Sequence, residues 1–291
     1  MVDNKTGYTV FLHTFMTILS ILCLLPFILL LIVSLSSESS LLTEGYSFFP
    51  KEFSLAAYQY LFRSSTIYRA YGFSILVTAV GTVASIIVIT LIAYPLSIRE
   101  LPGRKLLNFI VFFTMLFSGG LVPSYMMWTQ IFHVKNTIWA YIVPNLIANG
   151  FNIMIMRSYF MTNIPRELLE SARVDGANEF TTLLKVVLPV SLPILATIGL
   201  MSGMAYWNDW TNGLYYVTDK DLNTVQVFLN NMLMNAQQLD KVGAGGLDMN
   251  ALPSTAVRMA VAVAGAVPLM CIYPFFQKYF IKGMTLGAVK G

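Results

Sequence analysis

Charged side chains, the groups best suited to chemistry or to binding another molecule, are unevenly distributed along this chain. The sequence has 18 basic and 14 acidic residues, and seven of these lie within 20 positions, between Arg166 and Lys185. This stretch mixes both signs of charge and contains no histidine or cysteine. The pattern predicts a polar surface that docks another protein.

Residue patterns that carry catalysis or metal binding are missing from the sequence. No Gly-x-x-x-x-Gly-Lys-Ser/Thr segment occurs, so the chain has no loop of this kind to cradle the phosphates of ATP. His13 and His133 stand far apart, and no cluster of Cys and His has metal-ligand spacing. Cys23 and Cys271 lie in apolar runs, which favours packed or lipid-facing residues over a disulfide. We predict no catalytic residue, no metal and no cofactor in this chain.

The composition identifies the class of protein. Hydrophobic residues make up 56% of the 291 residues and charged residues 11%, with a mean hydropathy of +0.68. Soluble domains carry about 25% charged residues. These values exclude a soluble enzyme, a nucleic-acid-binding protein and a disordered chain, and they predict a membrane protein. The net charge of +4 is then the charge of loops that orient membrane spans.

The spacing of apolar runs predicts an all-α integral membrane protein with six transmembrane helices in a single domain over residues 1–291. A spanning helix needs about 20 mainly apolar residues. The first span is expected to remain uncleaved, and the third is interrupted by Gly119, Gly120 and Pro123. The predicted spans are, approximately, residues 10–35, 70–98, 106–132, 137–161, 191–217 and 255–280.

The connections predict the orientation. Residues 36–69 and 218–254 form two long loops on one face, with a short interfacial helix over 53–62 and a flexible tip at Gly243–Asn250. Eleven Lys and Arg residues fall on the opposite face and seven on the face of the long loops. Because cytoplasmic loops are enriched in Lys and Arg, both termini are predicted to be cytoplasmic.

The charge-rich stretch, residues 164–190, lies between the fourth and fifth spans and predicts two short helices joined by a turn. Pro165 suits the first turn of a helix, and Glu167 and Glu170 lie near the positive end of its dipole. Gly176 supplies the turn. Four apolar residues then recur at helical spacing, and two prolines lead into the fifth span: Leu183, Leu184, Val187, Leu188, Pro189 and Pro193.

This stretch resembles the EAA loop of the integral-membrane subunits of ABC importers. The family pattern appears as Glu170-Ser171-Ala172, then Gly176, then Val187-Leu188-Pro189, with Ser171 in place of the usual Ala. Asp175-Gly176-Ala177 is similar to the carbohydrate-uptake branch. Four other segments also resemble the family: Asn136-Thr137, Ile164–Glu167, Trp207–Asp209 and Tyr279–Gly283. The ending Gly287–Gly291 resembles a subgroup for polysaccharide fragments.

The resemblance implies a type I ABC importer permease fold and a set of partners. The helix over Glu167–Val174 would be the coupling helix, which sits in a groove of a cytoplasmic ATPase. The implied partners are a second homologous permease, two ATPase subunits that bind ATP and Mg, an extracytoplasmic solute-binding protein and an oligosaccharide. The implied ATPase-docking residues are Glu167, Glu170, Ser171, Ala172, Arg173, Asp175, Gly176 and Ala177.

Two polar groups inside the apolar runs are candidates for the substrate path. Trp207, Asn208, Asp209 and Trp210 combine aromatic faces that pack on sugar rings with groups that bind hydroxyls. Asn145, Asn149 and Asn152 recur at spacings that place them on one face of a continuous helix. Helix packing is the favoured alternative for both groups.

The loop at 218–254 has a second role by resemblance, since the family's corresponding loop reaches toward the solute-binding protein. Asn230, Asn231, Gln237 and Gln238 are the candidates for that contact, with an ordinary solvated loop as the alternative. Two other classes are the alternatives. An ATP-independent carrier or channel would be favoured by inverted repeats or paired broken helices, and a membrane-embedded enzyme would need a catalytic set; the sequence shows none of these.

Overall fold

The structure, a computed structural model, describes residues 3–63, 65–242 and 255–288, with side chains left out at 3–6, 233, 235–242 and 275–288. Within the described residues the chain is almost entirely helical, and the β-type pairing recorded there is a single bridge between Ser36 and Phe53. The chain divides into two compact units. The first combines Met1–Tyr68 with Phe228–Pro268, and the second combines Arg69–Val227 with Leu269–Gly291.

The first unit begins with helix α1 (Asp3–Ser34), which is long and apolar. The most apolar 18-residue window of its Gly7–Ser34 part has a mean hydropathy of 2.9, yet only 6% of that window is buried. A helix that is apolar on all sides and uncovered by its own chain faces lipid or a partner. Helix α2 (Glu38–Glu44) and helix α3 (Ala56–Arg63) follow, and α3 confirms the short helix predicted over 53–62.

Polar contacts hold the first unit together near the end of α1. Ser34 Oγ and the hydroxyl of Tyr58 on α3 share a 2.8 Å hydrogen bond. The carboxylate of Glu38 accepts hydrogen bonds from the backbone N–H groups of Thr255 and Ala256, at 2.9 and 3.1 Å. These are the first N–H groups of helix α15 (Thr255–Ala288), which have no partner within a helix. Glu38 therefore caps α15 from a distant part of the sequence.

Helix α4 (Ser65–Ser97) runs from the first unit into the second and matches the predicted second span. Helix α5 (Arg104–Leu116) and helix α6 (Leu121–Met126), which continues as a wider π-helical turn over Met127–Ile131, replace the predicted third span. The two arms meet at 112°. Gly120 has a φ of +84°, which explains why the chain turns here. This confirms the predicted interruption.

The fourth predicted span, residues 137–161, is not one continuous helix. Helix α7 (Trp139–Ile142) ends after one turn, and helix α8 starts anew at Gly150 and runs to Asn163. Pro144 lacks an N–H group, and Asn145 adopts a left-handed φ of +63°. The Asn149 side chain then caps α8 by accepting a hydrogen bond from Asn152 N–H.

The next segment forms helix α9 (Arg166–Val174) and helix α10 (Glu179–Thr182), then a π-helical turn over Leu183–Val187 and the single turn α11 (Leu188–Val190). Helix α12 (Leu192–Trp207) leaves at 86°. The predicted fifth span over 191–217 breaks at Asn208 and continues as α13 (Thr211–Tyr216).

The predicted loop over 218–254 is largely helical, which corrects that expectation. A 3-10 turn at Lys220–Leu222 precedes helix α14 (Val225–Val242). The predicted loop tip at Gly243–Asn250 lies outside the described residues. The polar residues of this stretch suggested a loop, although Val225, Phe228, Leu229 and Met232 recur at helical spacing.

Two apolar clusters form the core of the second unit. One joins α4, α8, α12 and the π-helical turn over Leu183–Val187, and its fully buried members include Ile89, Met156, Val187 and Ile198. The other is centred on Tyr141 and Tyr206. By length and composition, Gly7–Ser34, Ser65–Ser97 and Thr255–Pro274 are long enough to cross a membrane, and the two bent pairs raise the described total to as many as five spans.

Candidate functional site

The charge-rich stretch of residues 164–190, here called the elbow, begins with α9. Pro165 is extended and supplies the residue before the helix, after which α9 runs from Arg166 to Val174. Glu167 lies in its first turn and Arg173 in its last. Each charge therefore sits at the end of the helix dipole that stabilises it. Local charge placement therefore favours this short helix.

The turn after α9 closes in a Schellman arrangement. The N–H of Ala177 donates to the carbonyl of Ala172 and the N–H of Gly176 to that of Arg173, both at 3.0 Å. Gly176 has a φ of +76°, a conformation that residues with a Cβ rarely adopt. This sets the direction in which the chain leaves α9, as expected for the glycine of the predicted turn.

A side-chain cap starts the second arm of the elbow. Asn178 Oδ1 accepts a 2.8 Å hydrogen bond from Thr181 N–H, so α10 begins immediately after the turn. Sequence analysis did not single out this residue. The signal was present, because Asn followed at once by an acidic residue and then by an apolar run is typical of a helix start.

Glu179 ties the two arms to each other and to α4. Its Oε1 atom accepts hydrogen bonds from Arg173 Nε at 3.2 Å and Nη2 at 3.0 Å. Its Oε2 atom accepts a 2.7 Å hydrogen bond from the hydroxyl of Tyr94, near the end of α4. One carboxylate thus links α9, α10 and a long hydrophobic helix. Glu179 is one of the seven elbow charges in the sequence, but no role was predicted for it or for Tyr94.

The predicted docking residues divide by exposure. Six of them are exposed: Glu167, Glu170, Ser171, Arg173, Asp175 and Gly176. Ala172 is only 7% exposed and Ala177 is half-buried, so these small residues pack toward the body of the protein. Two apolar side chains that sequence analysis missed stand out at the tip of the elbow, Val174 at 87% and Phe180 at 61% exposed.

The far end of the elbow is anchored in the core. Leu183 and Val187 are buried against residues of α4 and α8, as the predicted apolar face requires. Leu184, on the same turn, is exposed. The helix widens to a π turn just before Pro189, which has no N–H to donate. The elbow therefore presents polar and apolar groups on a surface fixed from behind.

The Trp207–Trp210 segment lies at the break between α12 and α13. Trp207 is buried, with its ring centroid 6.4 Å from that of Tyr71, whereas Asn208 and Trp210 are exposed. Asp209 Oδ1 accepts a 3.1 Å hydrogen bond from Asn212 N–H and so caps α13. Asp209 Oδ2 is buried with no hydrogen-bond partner within the described part of the chain.

The three asparagines of the fourth predicted span do not share one helical face, because the helix is broken. Asn145 lies in the left-handed break and Asn149 caps α8. Asn152 is buried, and its Nδ2 lies 3.5 Å from Ser202 Oγ on α12. Only Asn152 thus reaches a neighbouring helix as a packing residue would.

An apolar groove of about 370 Å³ lies between α4, α12 and the second-unit part of α15. Gly199 and Gly203 on α12 and Thr78 and Thr82 on α4 line it beside Trp207. The hydroxyls of both threonines are buried with no hydrogen-bond partner among the described residues. The groove could therefore offer hydrogen bonds as well as apolar surface.

The sequence matches the family described as binding-protein-dependent transport system inner membrane component, over residues 79–286. The chain belongs to this family. The permease is a multi-pass protein of the inner, or cytoplasmic, membrane and is not itself a catalyst, since ATP is bound by a separate ATPase. The match sets aside an ATP-independent carrier and a membrane-embedded enzyme.

Relatives of known role are similar over nearly their whole length. The permease is 36% identical over 288 residues to the polygalacturonan/rhamnogalacturonan transport system permease protein YtcP of Bacillus subtilis (strain 168), covering 98% of both chains. It is 29% identical over 294 residues to the arabinooligosaccharides transport system permease protein AraQ of the same organism, covering 98% of this chain and 96% of that one.

A solved structure has the same fold. One chain in the crystal structure of a bacterial ABC transporter that imports the acidic polysaccharide alginate superposes with a TM-score of 0.80 at 28% identity. The match covers 96% of the permease and 99% of that chain. The predicted all-helical permease fold is confirmed at this level.

The residues predicted to meet a solute-binding protein fall on α14 rather than on a loop. Asn230 and Asn231 are half-buried, and Asn230 Nδ2 has no hydrogen-bond partner in the described part of the permease. Gln237 and Gln238 fall where only the backbone is described. Searched over its described residues, the permease has no group of three metal-binding side chains.

Proposed function

We propose that this permease carries an oligosaccharide across the cytoplasmic membrane as one half of a translocation path, with a second permease as the other half. Two ATPase subunits and an extracytoplasmic solute-binding protein complete the complex. The roles of the relatives support this substrate class, since YtcP, AraQ and the alginate importer all act on sugar polymers or oligomers.

Six membrane crossings complete the proposed topology, with both termini in the cytoplasm. Five crossings follow from the long helices and the bent pairs, and α7 with α8 would make the sixth. A broken backbone is tolerated at membrane depth where protein covers it. Ala140, Tyr141 and Ile142 are fully buried, which supports this reading of the break.

The elbow is the proposed ATPase-docking site, and the linkage through Glu179 is the observation that carries this proposal. Glu167, Glu170, Ser171, Arg173, Asp175 and Gly176 would face the ATPase, while Ala172 and Ala177 would support them from behind. Arg173 would keep Glu179 as its partner, leaving Glu170 and Asp175 for basic groups of the ATPase. Val174 and Phe180 would supply apolar contact. Because Glu179 also accepts a hydrogen bond from Tyr94, a displacement of the elbow would be transmitted to α4.

Charge reversal at the exposed helix tests the docking site. Glu170→Lys in the assembled transporter should lower sugar-stimulated ATP hydrolysis by more than about tenfold, because like charges opposed across an interface are costly. Glu44→Lys makes the same charge change on the opposite side of the proposed membrane and should leave the rate within about twofold of wild type. Normal coupled turnover in Glu170→Lys would refute docking at this site.

Trp207, Asn208, Asp209 and Trp210 are the proposed substrate-path residues, with Asn145, Asn149 and Asn152 as weaker candidates. Asp209→Asn tests this because it keeps an oxygen to cap α13 while removing the charge. A raised KM for the sugar with unchanged thermal unfolding would support a place on the path. If ATP hydrolysis depended on sugar concentration as in wild type, Asp209 would have only the role of capping α13.

Contact with the solute-binding protein is the proposed role of Asn230, Asn231, Gln237 and Gln238. Asn231→Asp should weaken capture of the cognate binding protein without changing basal ATP hydrolysis. Identical capture by the variant and by wild type would remove Asn231 from the contact. Measuring which sugars the cognate binding protein binds would then identify the substrate.

A further inference from the structure

Four cations surround an open pocket where α4 ends and α5 begins. The pocket, here called the basic pocket, has a volume of about 780 Å³ and its lining includes Arg99, Arg104, Lys105 and Arg157. The rest of its lining is neutral: Leu101, Gly103, Leu106 and Asn108. Glu100, the acidic residue nearest in sequence, lines a smaller pocket against α9 that shares Arg99 with the basic pocket.

Two of the cations converge on one carbonyl group. The Nε atoms of Arg104 and Arg157 both donate to the backbone oxygen of Leu96, at 3.0 and 3.1 Å. Like charges held this close repel each other, and a bound anion would offset that repulsion. None of the three ion pairs found among the described residues involves any of the four cations.

The other two cations are available to a ligand. The hydrogen bonds recorded for the described residues use neither the guanidinium of Arg99 nor the ammonium of Lys105. Lys105 lies in the first turn of α5, whose N-cap residue Gly103 has no side chain to cap the helix. The positive end of the α5 dipole adds to the attraction for an anion.

An unused acceptor lies in the same lining. Asn108 donates through Nδ2 to the carbonyl of Arg104, but its Oδ1 atom is buried and has no donor in the described structure. The oxygen is closed to solvent in this conformation, so a ligand that carries a hydroxyl group beside its negative charge would satisfy it once the Asn108 side chain turned toward the pocket.

The surface next to the pocket is apolar and uncovered. Leu106, Phe109, Ile110 and Phe113 extend along α5 away from the cations, and they are exposed by 63%, 60%, 49% and 44%. Because α4 and α5 belong to hydrophobic spans, their junction lies at a membrane surface. Inorganic phosphate has no apolar surface to pack against these side chains, whereas the acyl chains of a lipid do.

We propose that the basic pocket binds the phosphate of an anionic phospholipid with a hydroxylated headgroup, of which phosphatidylglycerol is the test case. The phosphate lies among the four cations, a headgroup hydroxyl donates to Asn108 Oδ1, and the acyl chains follow α5. This site is separate from the elbow and does not depend on which sugar is carried.

Lipid retention by the full-length permease, measured by native mass spectrometry from mixed phosphatidylglycerol and phosphatidylcholine micelles, tests the site. Wild type should retain phosphatidylglycerol in preference to phosphatidylcholine. Arg99→Gln with Lys105→Gln should lower its affinity for phosphatidylglycerol by about 25-fold at low salt, taking about fivefold for each cation near an anionic surface. Arg104 and Arg157 are left intact because they also bind Leu96.

The matched control is Arg63→Gln with Lys135→Gln, which removes the same charge away from the pocket. An equal loss in the control would overturn the proposal, because it would mean a general effect of net charge. Unchanged lipid preference in the pocket variant would also overturn it. Full displacement of phosphatidylglycerol by inorganic phosphate at millimolar concentration would show a free-phosphate site instead. Loss in the pocket variant alone, insensitive to phosphate, is the result expected.

Discussion

The hydroxyl of Tyr94 donates a 2.7 Å hydrogen bond to Oε2 of Glu179, joining residues 85 positions apart. Tyr94 is buried in α4, and Glu179 begins α10 at the surface. The bond connects a hydrophobic helix with the elbow, and the same carboxylate holds Arg173 on α9. A force on α9 therefore has a polar path to α4 as well as a path through packed apolar side chains.

Removing the Tyr94 hydroxyl should weaken this connection. Tyr94→Phe keeps the ring in the core but leaves Glu179 Oε2 without its donor, at a cost of about 1 kcal/mol in unfolding free energy. Sugar-stimulated ATP hydrolysis in the assembled transporter should fall by about fivefold, a typical coupling effect. Tyr159→Phe, in the same apolar cluster, is the control. Equal activity in Tyr94→Phe and wild type would mean that force does not pass through this bond.

Gly176 should accept only residues that tolerate a left-handed conformation. At a φ of +76°, Gly176→Val should cost about 1–2 kcal/mol and impair coupled ATP hydrolysis, because the Schellman turn would open. Gly176→Asn should retain most of the activity, since Asn adopts this conformation more readily. Gly119→Val, at a glycine with open space and no positive φ, provides the matched control. Comparable activity in Val and Asn variants at position 176 would contradict the role given to the turn.

Gly213 should tolerate no side chain at all. A Cβ atom there would overlap Val227 Cγ2 and lie 2.6 Å from the Tyr141 hydroxyl, inside the core around Tyr141. Gly213→Ala should therefore lower the unfolding free energy by about 1–3 kcal/mol, measured by thermal unfolding in detergent. Gly72→Ala, in α4 with nothing within 4 Å of the new atom, should be neutral or stabilising. The reverse order of stability would contradict this packing.

Glu38 should protect the start of α15 from opening. Glu38→Ala removes both acceptors for the Thr255 and Ala256 N–H groups, which should cost about 1 kcal/mol. Hydrogen exchange at those two amides should become faster. Glu44→Ala, whose carboxylate forms an exposed ion pair with Lys51, should leave their exchange unchanged. Equal exchange rates in Glu38→Ala and wild type would mean that the cap does not stabilise this helix end.

Local sequence chemistry determined the membrane class, the positions of the long helices and the elbow. Continuous apolar runs have few alternatives to a membrane helix, which is why α1, α4 and α15 matched the prediction closely. Pro165 and Gly176 act on their own backbone, so the first arm of the elbow could also be predicted from neighbouring residues. Gly120 similarly marked the interruption between α5 and α6.

Only the tertiary structure decided the breaks and the long-range partners. Residues 137–161 are apolar enough for one span, but Pro144 and the Asn149 cap divide them, because capping competes with helix continuation. The pairing of Glu179 with Tyr94 and that of Glu38 with α15 depend on how distant segments pack. The same holds for the basic pocket, where Arg157 joins cations more than 50 positions earlier in the chain. Sequence spacing encodes contacts along one helix, whereas contacts between helices exist only after the helices have packed.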